Sequence, residues 1–275
     1  MFQPAKKEMK SSTSKPSRIK KYKALMLDVD GTTVINDPEA MPTKKVKEAV
    51  IKAHDKIKVG LATSRPLWHT KPIIEDLQIN SYCILIGGAN IYDPISKKII
   101  WEKRITPEDV KSIFEIAKSL NIDIRDDGTG RHLKNEVPTL QNYLKEGPPQ
   151  FWTHALEPDL AEEFMKRLSK ISKIAVVKAT SWKKGKTDVI ISHALATKQH
   201  AINTVSEMLN ISTKEIIGVG DSYNDFPLLM ACGLKVAMGN ANQELKEIAD
   251  YVAPNVENDG VAEVIERFVL TSHNI

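Results

Sequence analysis

Short apolar runs alternate with amphipathic stretches along most of this chain. Each predicted strand is a short, nearly unbroken apolar run, and these runs are residues 24–29, 57–62, 82–86, 216–219 and 235–238. Helical periodicity lies between or after them: residues 43–54 with Thr43 as N-cap, a helix from 66, residues 198–210, a helix through 229, and helices from 242 and 260. This order predicts a parallel α/β sheet.

The alternation changes character in the middle of the chain. Its predicted elements there are a hairpin, two helices and further short strands: residues 91–101, 107–120 (capped by Thr106) and 158–169. We therefore predict a discontinuous α/β core, residues 22–88 and 191–275, interrupted by an inserted domain at 89–190.

Charge is unevenly distributed along the chain, so the high isoelectric point of the whole sequence does not describe the folded part. Residues 1–23 carry a net charge of +7, so the formal +4 of the 275-residue chain leaves −3 for the rest. We predict a basic, disordered tail at residues 1–21, because the segment is rich in Ser, Pro and Lys. Nucleic-acid binding by the folded part is not indicated, and only the tail offers a basic surface.

No apolar run in the sequence has the length of a membrane span, and the first residues lack a signal-type apolar block. We therefore expect no membrane partner and a cytoplasmic location. Cys83 and Cys232 lie in apolar surroundings and are expected to be buried, reduced thiols.

Two acidic clusters follow predicted strands. Residues 28–33 read Asp-Val-Asp-Gly-Thr-Thr, so Asp28 and Asp30 project to the same face of a strand, at the sheet edge where open α/β sheets bind ligands. Gly31 permits a sharp turn close to an anion. Residues 220–225, Gly-Asp-Ser-Tyr-Asn-Asp, form the second cluster.

Each cluster alone has a purely structural explanation, since Asp, Ser and Asn stabilise turns and cap helices. Two such clusters at one sheet edge would bring several carboxylates together, and their repulsion is unfavourable unless a cation or a proton offsets it. Carboxylates, waters and phosphate oxygens are the ligands that Mg²⁺ prefers. The pair of clusters therefore points to Mg²⁺.

Four motifs in order resemble those of the haloacid dehalogenase superfamily. Residues 28–32 and 220–225 resemble its first and fourth motifs, residues 61–66 (Leu-Ala-Thr-Ser-Arg-Pro) the second, and residues 197–201 the region of the third-motif lysine. The stretch from 237 to 262 is similar to the Cof-type, sugar-phosphatase branch. The resemblance implies a Rossmann-like parallel sheet core with helices on both faces and an inserted α+β cap domain at residues 89–190. It also implies a Mg²⁺-dependent phosphatase that acts on phosphorylated sugars or other small phosphorylated metabolites.

The resemblance also implies roles for individual residues. Asp28 would be the nucleophile, and Asp30 the general acid and base. Mg²⁺ would be bound by the side chains of Asp28 and Asp221 and by the backbone carbonyl of Asp30. The residues implied in phosphate binding are Thr63, Ser64, Lys198 and Asn224. The supporting residues are Gly31, Thr32, Arg65, which would reach the substrate, and Asp225, which would hold Lys198 or a metal-bound water.

The chain departs from the family pattern at two places. Ser64 stands where the family often has Gly, and residues 87–89 are Gly-Gly-Ala where Asn-Gly-Ala is usual. In the insertion His132, Trp152 and Trp182 could line a pocket, but packing or exposure is the expectation for them.

Other functions compatible with these motifs stay open. A phosphomutase would use the same groups to move phosphate within a sugar. A phospholigand sensor would keep the fold without turnover, and nucleic-acid binding through the tail would be sensitive to salt.

Overall fold

The computed structural model describes residues 22–126, 139–181 and 183–271. The predicted tail at residues 1–21 and two of the residues considered for a pocket, His132 and Trp182, lie outside the described residues. Within these ranges no helix combines the length and the apolar character needed to cross a bilayer.

Five parallel strands form the central sheet: β1 Ala24–Leu27, β2 Lys58–Leu61, β9 Ile216–Gly220, β10 Leu234–Ala237 and β11 Tyr251–Val252. Their order in the sheet is β11-β10-β9-β1-β2. Leu27 of β1 lies opposite Leu61 on one side and Val219 on the other, so the carboxyl ends of β1, β2 and β9 meet at one edge.

A three-stranded antiparallel sheet continues beside β2. It contains β3 Cys83–Leu85, β4 Asn90–Asp93 and β5 Lys98–Glu102, and a bridge between Ala62 and Ile84 links β3 to the central sheet. The hairpin predicted at 91–101 is therefore present.

The two cysteines also agree with the sequence prediction, because the thiols of Cys83 and Cys232 are free and buried.

Eight α-helices are described. They are α1 Lys44–Ala53, α2 Leu67–Asp76, α3 Pro107–Ser119, α4 Pro158–Leu168, α5 Lys198–Met208, α6 Phe226–Ala231, α7 Gln243–Ile248 and α8 Gly260–Ile265. The hydroxyl of Thr43 caps α1 by accepting from the Val46 N–H, and that of Thr106 caps α3 by accepting from the Asp109 N–H. Both caps agree with the sequence prediction.

Alternation along β1 explains why helices cover both faces of the central sheet. Leu25 and Leu27 pack in one apolar cluster with residues of α1 and α8, whereas Ala24 and Met26 pack in a second cluster with residues of α5 and α6. The predicted parallel α/β sheet with helices on both faces is confirmed.

A separate antiparallel sheet lies in the middle of the chain. Its strands are β6 Gln150–Leu156, β7 Ile174–Thr180 and β8 Thr187–His193, in the order β6-β8-β7. Phe151, Val189 and Ile191 pack against α3 and α4 in a third apolar cluster, which runs from Ile105 to Ile191.

The inserted α+β architecture is thus observed. Ile91 packs with Met26 in the second cluster, beside the central sheet, and not in the third. The exact domain limits, 89 and 190, stay a prediction.

Candidate active site

A buried lysine joins the two acidic clusters. Asp28 follows β1 and Asp225 lies just beyond β9, its neighbour in the sheet. The Nζ of Lys198, at the first residue of α5, donates to Asp28 Oδ1 at 2.7 Å and to Asp225 Oδ1 at 2.6 Å. Lys198 is only 2% exposed, so its charge is neutralised inside the protein by these two carboxylates.

Burial and crowding shift the acidity of these groups. Burial, together with the negative charge of Asp225, raises the pKa of Asp28 to about 8 even though Lys198 acts in the opposite direction. Burial and the charges of Asp225 and Asp28 also raise the pKa of Asp221 well above its ordinary value. Burial alone would lower the pKa of Lys198, but Asp225 and Asp28 outweigh it and the net shift is upward.

The cluster fits a divalent cation. Among the described residues, Asp28, Asp221 and Asp225 each present a carboxylate oxygen, and these oxygens lie within 4.8 Å of one another. Asp225 is already engaged, since its Oδ1 accepts from Lys198 and its Oδ2 accepts from the N–H groups of Asp221 and Ser222 at 3.0 Å each. Within the described ranges Asp28 accepts a side-chain hydrogen bond only at Oδ1, from Lys198, and each oxygen of Asp221 accepts one long hydrogen bond, from Thr32 at 3.2 Å and from Asn240 at 3.4 Å. Asp28 and Asp221 therefore keep more capacity for a cation than Asp225 does, in surroundings that favour added positive charge.

Gly31 makes room for the Asp221 carboxylate. Its φ is +74°, and a Cβ on it would lie 2.3 Å from Asp221 Oδ2. The amide of Asn240 donates to the Gly31 carbonyl at 2.8 Å, and its oxygen accepts from the Val256 N–H at 3.0 Å. The hydroxyl of Thr32 donates to Asp221 Oδ1 at 3.2 Å. The turn after β1 is thus fixed to the loop that carries Asp221.

Arg65 binds Asp30. Its Nε donates to both carboxylate oxygens, at 3.1 Å and 2.9 Å, and its Nη2 donates to Oδ1 at 2.5 Å. The guanidinium also donates to the carbonyls of Asp37 and Pro38 and contacts His69, and the side chain is buried. Asp30 itself stays 37% exposed at the site. The structure therefore places Arg65 on Asp30, and the substrate contact expected from the sequence stays untested, as does a metal contact by the Asp30 carbonyl.

The remaining predicted phosphate ligands lie at the ends of β2 and β9. Thr63 is buried, and its hydroxyl accepts from the Arg65 N–H at 3.0 Å. Asn224 donates through Nδ2 to the Ser64 hydroxyl at 3.1 Å, while its Oδ1 is buried without a partner among the described residues. Ser64, despite replacing the usual Gly, is thus joined to the fourth motif.

The inserted sheet covers this edge of the central sheet. One pocket is lined by Ser64, Lys198 and Asn224 from the core and by Gln150, Val177, Ile190 and Ser192 from the inserted strands. Lys178 of β7 lies over the ring of Tyr223, with its Nζ 4.9 Å from the ring centroid. Strands of the insertion therefore lie against Lys198, Asn224 and Tyr223, beside the acidic cluster.

Sequence reasoning missed two residues of this site, Asn240 and Gln150. Asn240 lies inside the quoted stretch 237–262, so its signal was present, but no role was assigned to it. Gln150 carried no signal in the sequence. Trp152, expected to be packed or exposed, is half-buried and bonds Gln150 through its indole N–H at 2.9 Å.

Comparisons with known proteins agree with these features. A family model described as haloacid dehalogenase-like hydrolase matches residues 25–265. A 5-amino-6-(5-phospho-D-ribitylamino)uracil phosphatase of Bacillus subtilis is 26% identical over 249 residues, which cover 90% of this chain and 96% of the relative.

Solved structures agree on the fold. A phosphatase of the haloalkanoate (HAD) enzyme superfamily from Bacteroides thetaiotaomicron superposes with a TM-score of 0.77 at 23% identity, covering 95% of this chain and 100% of the other. A HAD subclass IIB sugar phosphatase superposes with a TM-score of 0.74 at 20% identity, covering 90% and 100%. The resemblance recognised from the motifs is confirmed.

Proposed function

The chain belongs to the haloacid dehalogenase-like hydrolases and is a phosphatase, and from this premise we propose that it hydrolyses small phosphate monoesters through an aspartyl-phosphate on Asp28. The observation that carries the proposal is the bridge by Lys198 between Asp28 and Asp225 beside Asp221. The bridge leaves the other oxygen of Asp28 without a hydrogen bond from Lys198 and available to attack phosphorus.

The first step transfers the phosphoryl group to Asp28. An oxygen of its carboxylate attacks phosphorus, the bond from phosphorus to the ester oxygen breaks, and the departing oxygen keeps the electron pair. Asp30 gives that oxygen a proton, so the alcohol leaves neutral. Arg65 places two N–H groups on Oδ1 of Asp30 and only one on Oδ2, which leaves Oδ2 with capacity for the proton.

The second step releases phosphate. Asp30, now deprotonated, accepts a proton from a water that attacks phosphorus, and the bond to Asp28 breaks, which restores its carboxylate. Lys198 stays within reach of Asp28 Oδ1 in both steps and offsets negative charge at the reacting oxygens. Thr63, Ser64 and Asn224 would add hydrogen bonds to the phosphoryl oxygens.

Asp28 and Asp221 would hold Mg²⁺, and Gly31 keeps the space beside Asp221 open. When bound, Mg²⁺ supplies positive charge that neutralises the phosphoryl group and the crowded carboxylates. Asp225 acts through Lys198, because its two oxygens are taken by that side chain and by backbone N–H groups.

The test is release of inorganic phosphate from a panel of small phosphate esters, with Mg²⁺ and with EDTA. Asp28→Asn keeps the size of the side chain and removes the nucleophile, so turnover should fall below detection while the circular dichroism spectrum stays unchanged. Activity retained by Asp28→Asn would refute the assigned nucleophile. Isomerised ester in place of free phosphate would favour a mutase.

The insertion is proposed to act as a cap that excludes water and selects the leaving group. The support is that the pocket beside Lys198 is lined jointly by core residues and by residues of β6, β7 and β8.

A further inference from the structure

A buried amide of the inserted sheet has donors that nothing in the described protein uses. Gln150 is 1% exposed, yet its Nε2 has no hydrogen-bond partner among the described residues. An unpaired buried N–H group costs about 1–3 kcal/mol, so such a group calls for a partner that the protein alone does not supply.

The orientation of this amide is fixed by Trp152. The indole N–H of Trp152 donates to Gln150 Oε1 at 2.9 Å. An indole nitrogen can only donate, so it must face the oxygen of the amide, and Nε2 must face the other way. Trp152 in turn stacks on His154, with ring centroids 5.9 Å apart, and His154 bonds Asp188 at 3.3 Å.

Strand pleat and the adjacent turn place Nε2 at the pocket. Phe151 faces the apolar cluster under α3 and α4, so its neighbours Gln150 and Trp152 face the opposite side of the sheet. Gln150 lines the pocket that also contains Ser64, Lys198 and Asn224. A Cβ on Gly87 would lie 2.8 Å from Nε2, so the glycine at this position provides the space that the amide occupies.

The same pocket contains an unused acceptor. Asn224 Oδ1 is buried without a partner among the described residues, and Asn224 also lines the pocket. A hydroxyl group can accept from an amide N–H and donate to an amide oxygen, whereas an alkyl group can do neither.

We infer that Gln150 is a specificity-determining residue whose amide donates to a hydroxyl of the leaving group, so that an ester with a free hydroxyl at that point is preferred to its alkyl analogue. The inference rests on the proposed phosphatase function and names a residue that selects the leaving group at the same site. Its physical basis is discrimination by buried polar groups, which reject an analogue that leaves them unpaired.

Two esters of equal carbon length provide the probe. Erythritol 4-phosphate and n-butyl phosphate carry the same phosphate, and only the first has free hydroxyls. Their dissociation constants would be measured by calorimetry with Mg²⁺ in an Asp28→Asn background, which removes turnover. Gln150→Leu, close in size and without donors, should reduce the preference for the erythritol ester about ten-fold, as expected for one ordinary hydrogen bond.

Two further variants sharpen the result. Gln141→Leu makes the same chemical change at an exposed position of the insertion and should leave the preference as it is. Trp152→Phe keeps an aromatic ring and removes the N–H that orients the amide, so it should reduce the preference by less than Gln150→Leu does.

An unchanged preference in folded Gln150→Leu would overturn the inference, as would an equal loss for both esters. Turnover by the unsubstituted protein is measured separately on the same two esters. Phosphate release from neither ester would refute the phosphatase proposal on these substrates, even if Gln150→Leu altered binding. Release from both with no effect of Gln150→Leu would refute only the role of Gln150.

Discussion

Lys198 Nζ lies 2.6 Å from Asp225 Oδ1, and neither side chain is more than 2% exposed. Lys198 is the first residue of α5, and a positive charge at the N-terminus of a helix is unfavourable because it opposes the helix dipole. The neighbouring carboxylates must therefore stabilise the charge of Lys198 at this position. The lysine is therefore held by tertiary contacts and not by any preference of the helix for it.

Removing one member of this pair should destabilise the fold. Lys198→Met or Asp225→Asn alone leaves a buried polar or charged group without its partner, and we expect a loss of about 3–5 kcal/mol in the free energy of unfolding. The double variant should lose less than the sum of the two. Urea unfolding of all four proteins measures the coupling, and strict additivity would contradict it.

Gly31→Ala should weaken Mg²⁺ binding at least ten-fold, because the added Cβ would lie 2.3 Å from Asp221 Oδ2. Gly185→Ala is the matched control, since Gly185 also has a positive φ, +78°, and has nothing within 4 Å of the added Cβ. Both substitutions carry the backbone cost of a side chain at positive φ, and only the first crowds the acidic cluster. Calorimetric titration with Mg²⁺ compares them, and equal affinities would contradict the site.

The contribution of Asp28 to the stability of the metal-free protein should fall as pH rises. Burial raises the pKa of Asp28 to about 8, above the ordinary value of about 3.9 in the unfolded chain. The native state therefore binds a proton that the unfolded state releases between about pH 4 and pH 8, which favours the native state at the lower end of that window.

Mg²⁺ competes with that proton, so its stabilising effect should grow across the same window. Thermal unfolding at pH 5, 6, 7 and 8, with EDTA and with Mg²⁺, measures both trends. Asp28→Asn lacks the titrating group and should show a flatter profile. Burial lowers the pKa of His54 and of His193, and both act in the opposite direction in either protein, so the measured quantity is the difference between the two profiles. Identical pH profiles for the unsubstituted protein and Asp28→Asn would contradict the prediction.

Arg65→Lys should affect catalysis according to the leaving group. The guanidinium holds Asp30 through three N–H contacts, and lysine offers only a point charge. Loss of a positioned general acid costs about 10²–10⁴ in rate where the leaving group needs a proton. We expect Arg65→Lys to lower kcat for an alkyl phosphate more than for p-nitrophenyl phosphate, and an equal loss for both would indicate a merely structural role.

The parts of the fold that depend on local sequence were predictable. Thr43 and Thr106 each cap a helix by accepting from an N–H group three residues further on. The apolar run at residues 24–29 contains β1, Ala24–Leu27, whose side chains are buried on both faces. The acidic residues at strand ends follow from the same logic, since parallel neighbours end at one edge.

The contacts that depend on distant chain segments were not predictable. Arg65 contacts Asp30 because β1 and β2 are neighbours in the sheet, and nothing in residues 61–66 indicates that Asp30 is its partner. Gln150 faces the pocket because Phe151 faces the apolar cluster and Trp152 fixes the amide. A single polar residue in an irregular middle segment carries no sign of either relationship.

The order of the central sheet has a consequence for synthesis. β1 lies between β2 and β9, and 170 residues of sequence separate Asp28 from the lysine that contacts it. A growing chain on the ribosome thus exposes one unpaired edge of β1 until most of the protein has been translated. Prematurely terminated chains that end before Lys198 would contain Asp28 but not the lysine that contacts it.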